Sequence, residues 1–232
     1  MVKILVGCPT ADPYRYCTQE WIDAVKALSY KGFDILLVDN SSSKDYFNEF
    51  SKKVPMLKTE RIENLRELIA RDRNLIREKV LKENYDYFLS LEIDVIPPLN
   101  VIEKLLSHNK EIVSGVYYKD YDVNITKAGK LVRKAKTILP LLWKAVDKEN
   151  VAQLTTKEVE DSKLLEVAIA GLGCLLIHRS VLEKVNFRVN LKESSACDDV
   201  WFCHDASKNN FKIYADTSIK CRHLLKDKKI KF

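Results

Sequence analysis

Two short acidic stretches carry the side chains best suited to chemistry. Glu92-Ile93-Asp94 closes the apolar run Tyr87-Phe88-Leu89-Ser90-Leu91, and Val95-Ile96 resumes it before Pro97-Pro98 stop it. An aromatic- and leucine-rich run of that length suits a buried strand. Carboxylates are costly to take out of water without a partner. Ending a buried strand on two of them calls for something positive. In open α/β sheets, ligands sit at the carboxyl ends of strands. A divalent cation carrying a phosphorylated ligand meets that need, because hard cations take carboxylate and phosphate oxygen together. The plain alternative is a polar turn whose acids are solvated or paired with Lys or Arg. The second stretch, Asp198-Asp199, reads on its own as a helix N-terminus, where acids meet the macrodipole favourably. His223 reads on its own as a surface or strand-end histidine.

These residues need a scaffold, and the totals allow one. The chain has 232 residues, 46% hydrophobic and 31% charged, enough for a core and a polar surface. Lys plus Arg is 39 against 33 for Asp plus Glu, a net charge of +6. That mild excess fits anionic phosphate ligands and equally fits ordinary solubility. No stretch approaches the roughly 18 continuous apolar residues of a membrane span, which leaves only peripheral membrane association open. The six cysteines form no CxxC pair, so a structural zinc site is not expected. The N-terminus reads as a strand rather than a signal peptide, and the spread of cysteines then implies free thiols in a reducing, cytoplasmic setting.

In chain order, Lys3–Cys8 reads as a strand and Trp21, Ile22, Val25 and Leu28 as a helix ending at Gly32. Phe33–Val38 is a second strand leading into Asp39-Asn40-Ser41-Ser42-Ser43. A short helix near 44–53 and a short strand near 56–59 follow. This alternation argues for a parallel sheet flanked by helices. Residues 63–83 form a helix with Leu65, Leu68, Ile69, Leu75, Ile76 and Val80 on one face. Asp72 falls on that face too, and pairing with a neighbouring Arg explains it more simply than a phosphate-reaching arginine. A helix over 99–108, with Asn100 as its cap, and a strand over 111–116 come next. Residues 117–165 read as a variable insertion of hairpins or loops, whose basic stretch Thr126–Thr137 suits a solvated surface. Strands at 164–170 and 174–178 flank Gly171-Leu172-Gly173. No third glycine and no helix follow, so this is no dinucleotide fingerprint, and the glycines suit a bend or close backbone approach. Ser180 and Glu183 suit a capping box. A helix over 200–209, a strand over 211–215, a last extended segment over 219–225 and a frayed KDKKIKF tail complete the chain.

Five segments in order resemble the nucleotide-diphospho-sugar glycosyltransferases of the GT-A fold, especially family 2 and its mannosyltransferase-like relatives. They are KILVGCPT, ILLVDNSS, IARDRNLI leading into DYFLSLEIDVIPP, AIAGLGCLLIHRSVLEKVNF, and CDDVWFCHDASKNNFKIYADTSIKCRHL. The resemblance spans most of the chain except about 117–165 and the tail. Glu92-Ile93-Asp94 stands where the family has DxD, Asp198-Asp199 where it has Glu-Asp, and Asp39-Asn40 where it has Asp-Asp. The implied architecture is one α/β domain over 1–232 with a mostly parallel central sheet. Its nucleotide-binding half would be about 1–98 and its acceptor half about 99–232.

The resemblance also implies roles. Asp94 would bind the metal directly, with His223 as a further ligand. Such a mixed set suits Mn²⁺ better than Mg²⁺. Glu92 would act through water or contact the ribose or sugar. Asp39 would bind the base or ribose, Pro9 and Thr10 would line the base pocket, and Arg73 would sit near the nucleotide or support its loop. Asp199 would be the base that deprotonates the acceptor, with Asp198 as the fallback or an acceptor-orienting acid. Trp201 could stack on a sugar, although a core role suits it better. The donor would be a UDP- or GDP-sugar, the acceptor a glycan, lipid or protein hydroxyl, and transfer would invert the anomeric centre. Two readings compete. A sugar-phosphate nucleotidyltransferase would want a glycine-rich loop after the first strand, and CPTADPYRY has none. A non-catalytic module binding nucleic acid would want aromatics interleaved in the basic stretch, which lacks them, so no specific nucleic-acid partner is expected.

Overall fold

A computed structural model describes residues 1–127, 130–147, 150–192 and 196–225, without the side chains of 123–135. The first half alternates strand and helix: β1 (Ile4–Thr10), α1 (Arg15–Lys26), β2 (Phe33–Asp39), α2 (Asp45–Phe50), β3 (Met56–Lys58), α3 (Leu65–Lys82), β4 (Tyr87–Leu91), β5 (Val95–Ile96) and α4 (Val101–Ser107). The second half is richer in strands. It runs β6 (Ile112–Val116), β7 (Tyr118–Lys127), β8 (Lys130–Pro140), β9 (Leu142–Ala145), β10 (Val151–Gln153), β11 (Leu164–Val167), β12 (Ile169–Ala170) and β13 (Cys174–His178). Then come α5 (Arg179–Lys184), α6 (Asp198–Lys208), β14 (Ile213–Lys220) and β15 (Arg222–His223).

Eight strands make the central sheet in the order β11-β14-β6-β13-β4-β1-β2-β3. It is mostly parallel; β13 runs against both its neighbours, and β11 runs against β14. Strand alternation sends neighbouring residues to opposite faces. Leu5 and Phe88 enter one core with Ile76 and Val80 of α3 and Phe202 of α6. Ile4, Val6 and Leu89 enter the other with Trp21 and Ile22 of α1 and Ile102 of α4. Burial on both faces explains why the strands read as continuous apolar runs.

Several local expectations change. Phe211–Ala215 and Ile219–Leu225 are not two separate strands; Ile213–Lys220 is one strand with a register irregularity after Ala215. The short β15 follows and pairs with β5. The helix after the acidic turn is not capped by the Asn100 side chain. Ser180 does not open α5: the His178 ring accepts the Ser180 N–H, and Glu183 pairs with Arg179. The apolar face of α3 divides, since Leu68, Ile76 and Val80 are buried while Leu65 and Ile69 stay exposed. The α3 N-terminus is capped by Asn64, which accepts from Arg66 and Glu67.

Tyr118–Lys127 and Lys130–Pro140 pair antiparallel as the β7–β8 ladder. Within the basic stretch, Lys127, Lys130, Arg133 and Lys134 have side chains outside the described set, as has the whole KDKKIKF tail. Lys136 is exposed and lies 3.9 Å from Asp122. All six cysteines are free thiols. Among the described residues, no helix is long and apolar enough to cross a membrane.

Candidate active site

The carboxyl ends of β1, β2 and β4 meet at one edge of the sheet, where Thr10 pairs with Asp39 and Gly7 with Ser90. A cleft of about 310 Å³ opens there. Pro9, Thr10, Arg73, Glu92 and Asp94, all singled out from sequence, line it. So do Asn40, the second residue of the Asp39-Asn40 pair, then Tyr14 and Arg61, which the sequence did not single out, and the exposed Leu65 and Ile69 of α3.

Arg73 is the hub beneath this cleft. It is 2% exposed and reaches from α3 to three partners. Its Nε donates to Asp198 Oδ2 at 2.9 Å and its Nη1 to Ser90 Oγ at 2.7 Å, while its Nη2 lies 3.5 Å from Glu92. Burial alone would lower the guanidinium pKa, but the charges of Asp198 and Glu92 raise it above the usual value. Ser90 passes the network on, donating to the Leu172 carbonyl at 2.7 Å. The helix that carries Arg73 thus ties the acidic turn to the start of α6.

Burial also separates the acids. Glu92 is pushed up to about 7, first by burial and then by Asp94, Asp198 and Asp199, with Arg73 opposing. Asp199 is pushed up to about 6 by burial and by Asp198, while the Val200 N–H, donating at 2.8 Å, pulls the other way. Asp198 is held by Arg73, whereas Asp199 has no ion pair among the described residues. Asp199 is therefore the acid of the pair free to exchange a proton.

Asp94 and His223 meet at the other end. The β5–β15 pair brings them together, and the Leu224 N–H donates to the Asp94 carbonyl at 2.6 Å. His223 donates Nδ1–H to the Tyr118 carbonyl at 2.8 Å, which leaves Nε2 facing Asp94 Oδ2 at 3.3 Å. Burial lowers the imidazole pKa, but Asp94 and then the Tyr118 carbonyl raise it above its usual value. A carboxylate and an oriented imidazole nitrogen form half of a divalent-cation donor set, and the backbone bond that fixes the ring is the usual second-layer support. Among the described residues no third His, Cys, Asp or Glu joins them. The two residues could therefore supply part, but not all, of a divalent cation's ligands.

Asp39 sits behind the cleft wall, fully buried. Its Oδ1 accepts from the N–H and Oγ–H of Ser41, whereas Oδ2 has no hydrogen bond and lies 3.5 Å from Lys58 Nζ. Asn40 faces the cleft and donates Nδ2–H to Asp72 at 2.8 Å. Asp72 also takes Arg71 at 2.7 Å, the neighbouring-arginine pairing expected from sequence. Thr10 bonds Tyr46, which bonds Thr18, fixing the end of β1. Arg188 covers the Trp201 ring at 4.3 Å to its centroid, which favours a packing role for that tryptophan over a sugar platform. His108 pairs with Asp216, and His204 with Asp205, away from these residues.

Tyr117, read from sequence as the first residue of an insertion, packs edge-on against His223, with ring centroids 5.6 Å apart. It is 3% exposed, and its ring lies across Gly171-Leu172-Gly173. A Cβ on Gly171 would stand 2.2 Å from the Tyr117 hydroxyl, and one on Gly173 would stand 2.4 Å from Cζ. The glycines therefore serve close approach, as their spacing suggested. The available signal was an aromatic directly after a strand, opposite a Gly-x-Gly.

No protein-family profile and no curated protein sequence matches the chain. Solved structures do. "Crystal structure of GalNAc-T7 with UDP, GalNAc and Mn2+" aligns with a TM-score of 0.67 at 14% identity, over 97% of this chain and 44% of that one. The architecture is the GT-A glycosyltransferase fold. "Crystal Structure of A197 from STIV" aligns with a TM-score of 0.50 at 18% identity, over 97% of this chain and 86% of that one. The chain thus spans less than half of the GalNAc-T7 chain, and identities this low establish the GT-A fold alone.

Proposed function

We propose that the protein is a metal-dependent glycosyltransferase. It moves a sugar from a UDP- or GDP-sugar to an acceptor hydroxyl on a glycan, lipid or protein, with inversion. The observation that carries this reading is the Arg73 network. It ties Glu92, two positions before Asp94, to Asp198, the neighbour of Asp199, whose pKa is raised to about 6; Asp94 itself meets His223, the pair that would hold the cation.

In this reading Pro9, Thr10 and Asn40 border the base and ribose, and Asp39, its Oδ2 facing Lys58, lies behind them. Asp94 and His223 would hold Mn²⁺ or Mg²⁺. When bound, such a cation offsets the negative charge that develops on the departing diphosphate. Arg73 holds Glu92 and Asp198 in place and adds positive charge beneath the same end of the cleft. Asp199 takes the proton of the acceptor hydroxyl as its oxygen forms a bond to the anomeric carbon. The bond from that carbon to the diphosphate oxygen breaks, and its electron pair leaves with the nucleotide. A base whose pKa lies near the working pH is ionised and still basic enough for this step.

The test is a thermal-shift panel of UDP, GDP and CMP, each with and without Mn²⁺. Binding to the folded state alone raises the melting temperature by linkage. A shift with UDP or GDP that needs Mn²⁺ and disappears in Asp94→Ala is the expected result. Absence of a shift with every nucleotide would overturn the reading.

A further inference from the structure

Tyr117 holds a donor that none of the described residues accepts from. A phenol has one proton to give and lone pairs to accept with. The Tyr117 hydroxyl accepts the Gly173 N–H at 3.0 Å. Among the described residues, no acceptor stands within hydrogen-bond reach of its proton. The ring cannot easily turn away. It is wedged against two glycines on one side and stands edge-on to His223, with centroids 5.6 Å apart at 86°. A buried donor left without an acceptor costs about 1–3 kcal/mol, so the arrangement asks for an oxygen from outside.

The surroundings say which kind of oxygen. Three carboxylates act on this hydroxyl: Glu92 most, then Asp199, then Asp94. Three acids repel a bare phosphate oxygen. A neutral sugar hydroxyl meets no such penalty. The Tyr117 ring stands edge-on to His223, and Gly173, whose N–H the hydroxyl takes, accepts the Glu92 N–H at 3.1 Å. The hydroxyl thus lies beside both the acidic turn and the histidine, where the sugar of the donor adjoins the diphosphate in the reading above. We propose that the Tyr117 hydroxyl donates a hydrogen bond to an oxygen of the transferred sugar, making it a residue that recognises the glycosyl part of the donor. This rests on the glycosyltransferase reading above. Burial and the same acids hold the phenol well above its usual pKa, so it stays a donor across the physiological range.

The test is Tyr117→Phe, which keeps the ring and removes only the hydroxyl. Dissociation constants are measured calorimetrically with Mn²⁺ for UDP and GDP and for UDP-glucose, UDP-N-acetylgalactosamine and GDP-mannose. The variant should bind the free diphosphate within about twofold of the parent and the sugar conjugate about tenfold more weakly, as expected for one lost hydrogen bond of about 1.4 kcal/mol. Equal weakening of both would make Tyr117 a packing residue, and no weakening of either would mean that its hydroxyl meets no sugar; each overturns the proposal. Deoxy-sugar conjugates tested on the unaltered protein give a second measurement that does not depend on the variant folding. One deoxy position should weaken binding about tenfold, and an unchanged affinity at every position would overturn the assignment. Failure of the parent to bind any nucleotide would instead overturn the glycosyltransferase reading, and this inference with it.

Discussion

Arg73 and Asp198 lie 125 positions apart in sequence and meet at 2.9 Å, both almost fully buried. The pair joins α3, beneath the cleft, to α6, which carries the second acid pair. Removing one partner of a buried pair leaves an uncompensated charge, whereas removing both does not. Arg73→Met should therefore destabilise the protein by about 3–5 kcal/mol in urea titrations. Arg73→Met combined with Asp198→Asn should be more stable than Arg73→Met alone. Additive losses in the double-mutant cycle would show that the two groups are not energetically coupled.

Asp199 links stability and turnover through one pKa. Its ordinary value is 3.8, and burial with Asp198 beside it raises that to about 6. An acid with a raised folded pKa leaves stability intact below its unfolded pKa. Stability then falls as pH rises through the window from 3.8 to about 6. Asp199→Asn removes that loss. The variant should match the parent near pH 3.5 and exceed it by about 1–2 kcal/mol at pH 7, after a discount for partial exposure. Melting temperatures taken across this range decide it. Turnover by the parent should rise tenfold per pH unit below about 6 and level above it, while Asp199→Asn loses about 10²–10⁴-fold in rate and keeps its donor affinity.

Gly171 and Gly173 face different atoms of Tyr117, so their alanine variants should respond differently to loss of the hydroxyl. The Cβ at 171 would meet the hydroxyl oxygen at 2.2 Å, and the Cβ at 173 would meet ring carbons at 2.4 and 2.8 Å. Each alanine should cost about 1–3 kcal/mol by overpacking. Adding Tyr117→Phe should relieve much of the Gly171→Ala loss and leave the Gly173→Ala loss in place. Equal relief at both positions would mean that the ring rather than the hydroxyl sets the limit at 171. Chemical denaturation of the parent, the three single variants and the two double variants is sufficient.

What the sequence made legible was whatever repeats along the chain. Apolar runs of strand length, the α3 periodicity and acids at strand ends are local signals, and each landed at the sheet edge that encloses the cleft. The Gly-x-Gly spacing even announced a close approach. It could not name Tyr117, because that contact crosses 56 residues. The same holds for Asn40 with Asp72 and for Arg73 with Asp198: the residue types were visible, but the pairings depend on how helices lie on the sheet. Leu65 and Ile69 misled in the opposite direction. Helical spacing assigned them to the core, yet they form an exposed wall of the cleft, because a binding surface and a buried face share the same apolar period.

His223 gives the sharpest test of the proposed cation site. Its Nδ1–H is committed to the Tyr118 carbonyl, so the ring presents Nε2 toward Asp94 whether or not a ligand is bound. The short β15 strand and the Leu224 N–H to Asp94 carbonyl bond hold the backbone in register independently of the imidazole. His223→Ala should therefore fold normally yet weaken Mn²⁺ affinity in the presence of UDP by about 10–100-fold. Titration of Mn²⁺ by electron paramagnetic resonance reads this directly, without any need for turnover. Asp94→Asn should produce a loss at least as large, and EDTA should erase the difference in nucleotide affinity between parent and variants. Unchanged Mn²⁺ affinity in His223→Ala would remove the imidazole from the donor set and leave Asp94 as the sole protein ligand among the described residues.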